Sequence, residues 1–266
     1  VRLRPRCDGW QKLRDFSLSA DPQPKGMEQM ADLDGNNLIK LWFTQPTQKL
    51  IIEVKAEVET YKVNPFEYLL EPWAIKLPID YPISLLNQIS SYLNTHSFTP
   101  DPTATELARE IAHEVHGNTL SFLSNLNQRL YANCDYIVRE TGDPWHAGMT
   151  WNLNQGSCRD LALLFMEVCR AVGLAARFVS GYQEGDPDQQ ERDLHAWAEV
   201  YLPGGGWRGY DPTHGLAVAD RHIAVAASTL PSYTAPVVGK ITPVKSILET
   251  GKAVTSQMKA QIWIDQ

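Results

Sequence analysis

The chain has 266 residues, 43% hydrophobic and 21% charged, with a formal net charge of −7 at pH 7. That composition suits a globular chain with a sizeable core, folded as one large domain or two modest ones. The acidic balance, a pI near 5.5 and the lack of any lysine or arginine block argue against nucleic acid and an anionic membrane surface as main partners, which leaves a protein, peptide or small-molecule substrate.

No stretch approaches about 18 consecutive apolar residues, and the opening Val1-Arg2-Leu3-Arg4-Pro5-Arg6 lacks the apolar run of a secretory signal. Cys7, Cys134, Cys158 and Cys169 are too sparse for a disulfide framework, so reduced thiols and a cytoplasmic setting are expected. Because the chain opens at Val1 without a methionine, a trimmed start and export stay open.

Residues 1–70 carry short β-type runs at 13–19, 37–43 and 49–63. The last alternates Leu50, Ile52, Val54, Ala56 and Val58 against Glu53, Lys55, Glu57 and Glu59, the pattern of a half-buried strand. An all-β N-terminal domain is expected there. Pro72, Pro78 and Pro82 follow Pro65 at a density that breaks helices and central strands, which predicts a surface linker over 71–82. A second domain over 83–235 then opens with helices at 84–93, 104–115 and 120–138.

A further helix is predicted over 158–172, with Leu161, Ala162, Phe165, Cys169 and Val172 on its apolar face and Gly173 ending it. Strands follow at 175–182, 194–202 and 207–211, the last two joined as a hairpin by Pro203-Gly204-Gly205-Gly206. The tail, 236–266, ends in an expected closing strand at 260–264.

Cys158 opens its helix, where unpaired backbone N–H groups and the positive end of the dipole favour a thiolate. Cys169, in the middle of the apolar face, reads as a buried structural thiol; at 1.5 Å per residue it lies ~16 Å further along the axis, too far for a disulfide. His195 shares one face of its strand with Trp197, Glu199 and Tyr201, and the hairpin would carry Asp211 toward it. A helix-end thiol needs a base, and an imidazole needs an acceptor on its other nitrogen. An aspartate before a proline also serves as a turn former, so Asp211 keeps both readings.

Other candidates are weaker. His113-Glu114-Val115-His116 is one residue short of a zinc-protease signature and reads as a helix surface. His214 and His222 fall in what reads as loop and helix; His214 could line the cleft, with a solvated histidine as the preferred reading. For an oxyanion hole the Cys158 backbone N–H is a natural donor, while Trp145, Trp151, Asn152, Asn154 and Gln155 supply no clear second one. The two tryptophans read as buried structural aromatics. No cofactor or metal is expected.

Four segments resemble, in order and spacing, the motifs of the bacterial transglutaminase-like family. They are Gly156-Ser157-Cys158-Arg159-Asp160, the run from Arg170 through Gly173 to Tyr182, His195-Ala196-Trp197-Ala198-Glu199-Val200-Tyr201, and Gly206-Trp207-Arg208-Gly209-Tyr210-Asp211-Pro212-Thr213. Leu3-Arg4-Pro5-Arg6 and Asn64-Pro65-Phe66-Glu67-Tyr68-Leu69-Leu70 resemble the β-rich domain that precedes the core in that family. The resemblance implies an α+β, papain-like core of helices on an antiparallel sheet, with Cys158, His195 and Asp211 as catalytic triad. It also implies thiol acyl transfer on a protein or peptide substrate. Hydrolysis by a cysteine protease or amidase is favoured over cross-linking and over a non-catalytic peptide-binding cleft. The acidic loop at 183–193 and the stretch at 227–240 depart from the family pattern.

Overall fold

The computed structural model describes residues 1–94, 100–139, 142–184, 194–242 and 257–265. The N-terminal region is strand-rich. β1 (Gln11–Asp21) pairs antiparallel with β4 (Ile51–Thr60), and β2 (Gly26–Ala31) with β3 (Asn37–Trp42). The alternating run becomes β4, shorter at both ends than expected. Nothing in Gly26-Met27-Glu28-Gln29-Met30-Ala31 marks β2 locally; its register against β3 defines it.

The core sheet comprises β7 (Ala176–Gln183), β8 (Leu194–Leu202), β9 (Gly206–Asp211), β10 (Leu216–Ala217) and β11 (His222–Ser228). Its five strands lie in the order β10-β9-β8-β7-β11, every pair antiparallel. On one face Ala196, Ala198, Val200 and Leu202 join the main core with the helices. On the other, Val179, Trp197, Val218, Ala224 and Ala227 form a smaller cluster.

The outer edge of β11 is closed by side chains of the N-terminal region. Gln11 donates from Nε2 to the Ala224 carbonyl at 2.8 Å and accepts the Ala224 N–H at 2.7 Å. Asn36 does the same for Ala227, at 2.8 Å in both directions. Each buried amide thus stands in for a missing strand, satisfying backbone groups that a covered sheet edge would otherwise orphan. Asn36→Leu leaves both Ala227 groups unpaired, and urea unfolding should show a loss of about 2–4 kcal/mol with an unchanged slope.

The helices are α1 (Ile83–Leu93), α2 (Pro102–Glu114), α3 (Thr119–Asn133), α4 (Ala147–Leu153) and α5 (Cys158–Ala171). α5 is central: every residue from 160 to 170 is buried. Toward its C-terminal end Glu167 and Arg170 compensate each other, with Arg170 Nη1 3.0 Å from Glu167 Oε1, while Arg170 also donates to the carbonyls of Tyr92, Ala176 and Thr229. Paired and fully hydrogen-bonded, the two charges avoid the cost of isolated burial.

The segment 71–82 runs mostly exposed, but Ala74, Ile79 and Tyr81 within it are buried in the core. Its prolines break regular structure while these three residues face inward, and Thr119 ties it down through the carbonyls of Ala74 and Ile75. Two expectations are corrected. The helix predicted over 120–138 stops at Asn133, and β5 (Asp135–Tyr136) turns away to pair in parallel with β6 (Gln155–Gly156). Its spaced apolar residues Ile137 and Val138 therefore lie outside the helix. The described part of the tail holds a single bridge residue, Ile262, and no strand.

Candidate active site

The turn before Cys158 is braced from two sides. Asp135 donates its backbone N–H to Asn154 at 2.8 Å and Ile137 to Gly156 at 3.0 Å, which fixes the approach to α5. Asn154 takes the left-handed conformation (φ 49°) that ends α4, a conformation asparagine tolerates better than most residues. Gly156 is required by space, because a Cβ there would lie 2.9 Å from the Asp160 Cβ and 3.0 Å from Thr150.

Asp160 holds the first turn of α5. Its Oδ2 accepts the Ser157 N–H at 2.8 Å and the Ser157 hydroxyl at 2.7 Å. Its Oδ1 accepts Arg139 Nη1 at 2.6 Å and the Trp145 N–H at 2.7 Å. Burial would raise its carboxyl, but these four bonds, Arg139 first, hold it below the ordinary value. Such a contribution is present above the ordinary carboxylate range and lost as pH falls through the folded value. Asp160→Asn leaves Arg139 without its ion partner; we expect about 3 kcal/mol of destabilisation in a thermal melt, with faster proteolysis around 142–146. Trp145 is half-buried under the Arg139 guanidinium, 4.3 Å from the ring centroid, and Trp151 is half-buried against the core, so neither is fully enclosed.

Cys158, His195 and Asp211 are brought together. Cys158 heads α5 and is 8% exposed. The β8–β9 register runs through Ala198↔Tyr210; continued one step, it sets Asp211 opposite Trp197 on the face that carries His195. His195 Nε2 lies 2.8 Å from Asp211 Oδ2. Burial disfavours the imidazolium, but the charge and hydrogen bond of Asp211, followed by the hydrogen bond and charge of Cys158, outweigh it and push His195 from 6.5 up to about 10. Asp211 is fully enclosed; burial would raise it, yet His195 and the bonds from two further histidines hold it well below its ordinary range.

Those two histidines are what the sequence did not reveal. His214, expected to be solvated, places Nδ1 2.9 Å from Asp211 Oδ2, although its side chain is 40% exposed. His222 begins β11, not a helix, and places Nε2 3.1 Å from the same oxygen. An ionised carboxylate only accepts, so all three imidazole nitrogens donate into Oδ2, and Thr213 donates its N–H to Oδ1 at 3.0 Å. Gly181 makes room for this face: a Cβ there would meet Trp197 at 2.7 Å and the Ile223 carbonyl at 2.2 Å.

Behind the cluster, a cavity of about 30 Å³ is lined by Asp8, Trp10 and Gln11 on one side and by Trp197, Glu199 and His222 on the other. The Nε1 of Trp197 and the Nδ1 of His222 are buried without a partner among the described residues. Elsewhere, His113, Glu114 and His116 are exposed, and the helix ends before His116 adopts φ 52°, so the shortened zinc-protease pattern forms no site. Cys169 is enclosed as expected, and burial raises its thiol well above 9.0. Most of the acidic loop at 183–193 lies outside the described residues.

Residues 105–212 match the transglutaminase-like superfamily, and residues 1–59 match the bacterial transglutaminase-like N-terminal region. An uncharacterised protein of Mycobacterium tuberculosis is 29% identical over 240 residues, covering 84% of this chain and 74% of that protein. A protein-glutamine gamma-glutamyltransferase of Pseudomonas aeruginosa is 30% identical over 127 residues, 44% of this chain but 19% of that protein. Among solved structures, a proposed cysteine protease from Cytophaga hutchinsonii superposes with a TM-score of 0.66 at 22% identity, covering 88% of this chain and 76% of the other. At that identity the likeness shows the fold, a papain-like arrangement of helices on an antiparallel sheet. Residues 105–212 thus carry a transglutaminase-like core, and residues 1–59 the bacterial N-terminal region ahead of it.

Proposed function

We propose that the chain is a thiol acyl-transfer enzyme acting on peptide or glutamine side-chain amides, with water as the preferred acceptor. The observation that carries this reading is His195 standing between Cys158 and Asp211, with Nε2 2.8 Å from Asp211 Oδ2 and both partners favouring its charged form. Cys158 sulfur attacks the amide carbonyl carbon, and charge develops on the oxygen near the start of α5, where the first N–H groups have no intrahelical acceptor. His195 gives its proton to the departing nitrogen as the C–N bond breaks, leaving a thioester on Cys158. Water, losing a proton to His195, then releases the acid and restores the thiol pair.

The Pseudomonas relative's name supports a second reading, in which a primary amine takes the place of water. Purified protein incubated with casein and a fluorescent primary amine separates the two. We expect peptide cleavage or ammonia release to exceed amine incorporation, and Cys158→Ala to remove at least about a thousandfold of the rate. Dominant amine incorporation would support the cross-linking reading. No Cys158-dependent turnover of either kind would sink both and favour a peptide-binding cleft.

A further inference from the structure

We infer that the imidazole cluster on Asp211 is a binding site for a zinc-class divalent ion, with His195, Asp211 and His222 as ligands and His214 at its entrance. One carboxylate oxygen, Oδ2, receives His195 Nε2 at 2.8 Å, His214 Nδ1 at 2.9 Å and His222 Nε2 at 3.1 Å. An oxygen offers two lone-pair directions, so three donors over-subscribe it. The ligand atoms of His195, Asp211 and His222 lie within 4.8 Å of one another. Zinc bound tetrahedrally at ~2.0–2.2 Å from nitrogen and oxygen sets its ligand atoms roughly 3.3 Å apart. The two nitrogens therefore need to move a few tenths of an ångström away from Oδ2, and the widest pair in the set, up to 4.8 Å apart, to close by as much as about 1.5 Å, the scale of a side-chain adjustment.

The surroundings supply what ligating imidazoles require. A metal-bound histidine carries its proton on the other ring nitrogen, which then seeks an acceptor. His222 Nδ1 has no partner among the described residues, and His222 lines the cavity of about 30 Å³, which has space for one or two waters. The Thr213 N–H on Oδ1 fixes the carboxylate and leaves Oδ2 to the ion. Two neutral imidazoles and one carboxylate suit zinc better than calcium or magnesium, which favour oxygen-only shells. Entry is from the His214 side, since the side chains of His195 and His222 are 10% and 3% exposed and that of His214 is 40% exposed.

An imidazole coordinates through a bare ring nitrogen, so any proton carried there passes to its other nitrogen or to the solvent. An ion there would separate His195 from Asp211 and silence it as an acid. That inhibitory consequence rests on the proposed thiol chemistry; the binding itself rests on the cluster alone.

Calorimetric titration of Zn²⁺ into the whole chain tests the site, using wild type, His214→Ala, His222→Gln and Cys158→Ser. We expect one ion per chain, a heat that varies with buffer ionisation enthalpy, about tenfold or greater weakening in His222→Gln, a smaller loss in His214→Ala, and little change in Cys158→Ser. No saturable binding by wild type would overturn the site. Loss in Cys158→Ser with retention in His222→Gln would also overturn it, by showing a thiol–imidazole site instead. Should His222→Gln fail to fold, anomalous diffraction at the zinc edge from wild-type crystals decides: a peak among the three ligands supports the site, and a peak on the Cys158 sulfur or elsewhere refutes it. Amide turnover without zinc binding sinks only the metal site, whereas zinc binding without turnover leaves it standing and sinks the thiol-enzyme reading.

Discussion

Asp211→Asn is expected to lower kcat/KM on an amide substrate by about 10³–10⁴-fold, or ~4–5 kcal/mol of transition-state stabilisation, while the protein stays folded. The wild-type carboxylate takes three imidazole donors on Oδ2 and the Thr213 N–H on Oδ1. An asparagine can keep the Thr213 bond with its oxygen, but its NH₂ then faces the nitrogens of His195, His214 and His222. Donor meets donor, and His195 must shift its proton to the nitrogen beside Cys158 as a neutral tautomer. The base that should receive the thiol proton then already carries one. The rate loss should appear in kcat more than in KM, because no substrate contact is removed.

The same variant has a pH signature. His195 is raised from 6.5 to about 10, so its contribution to stability is fully present below 6.5 and lost as pH rises through 10. Asp211 is depressed below 3.8, so its contribution is present above that value and lost as pH falls through the folded one. The melting-temperature gap between wild type and Asp211→Asn should therefore be widest from about pH 4 to about pH 6.5 and narrow toward about pH 10. A gap that does not vary with pH would show that Asp211 acts as a polar spacer and not as a charge.

What was legible in the sequence is what local pattern encodes. Helix α5 announced itself by an apolar stripe, a leading Ser157-Cys158 and a closing Gly173, and the β8–β9 hairpin by alternation around a proline–glycine turn. Those two features alone bring Cys158, His195 and Asp211 to one place. His214 and His222 were missed because nothing local marks them: β11 reads His222-Ile223-Ala224-Val225-Ala226-Ala227-Ser228, small residues buried almost throughout, with no period to separate strand from helix. Nothing local marks Gln11, at the start of β1, or Asn36, just before β3, yet each satisfies a backbone pair some 200 positions away. The proline-dense segment keeps a mostly exposed course yet buries Ala74, Ile79 and Tyr81, since proline forbids regular hydrogen bonding without forbidding burial of its apolar neighbours.

The four cysteines allow the thiol to be tested without any substrate. At pH 6 iodoacetamide should modify Cys158 about 10–100-fold faster than Cys7, although Cys7 is exposed and Cys158 is 8% exposed. An ordinary exposed thiol near pKa 8.5 is under roughly 1% thiolate at that pH, whereas the His195 imidazolium sets a positive charge beside the Cys158 sulfur. Cys134, pushed up to about 11 by burial and then by Asp135, and Cys169, raised further by complete enclosure, should stay unmodified in the folded protein. Timed digestion and mass spectrometry of the four peptides gives the rates directly. His195→Gln removes the facing charge while keeping the fold of the helix end, so the pH 6 advantage should vanish there. If Cys7 reacts first at pH 6 in the wild type, the charge pair between Cys158 and His195 does not operate in solution, and the acyl-transfer reading loses its nucleophile.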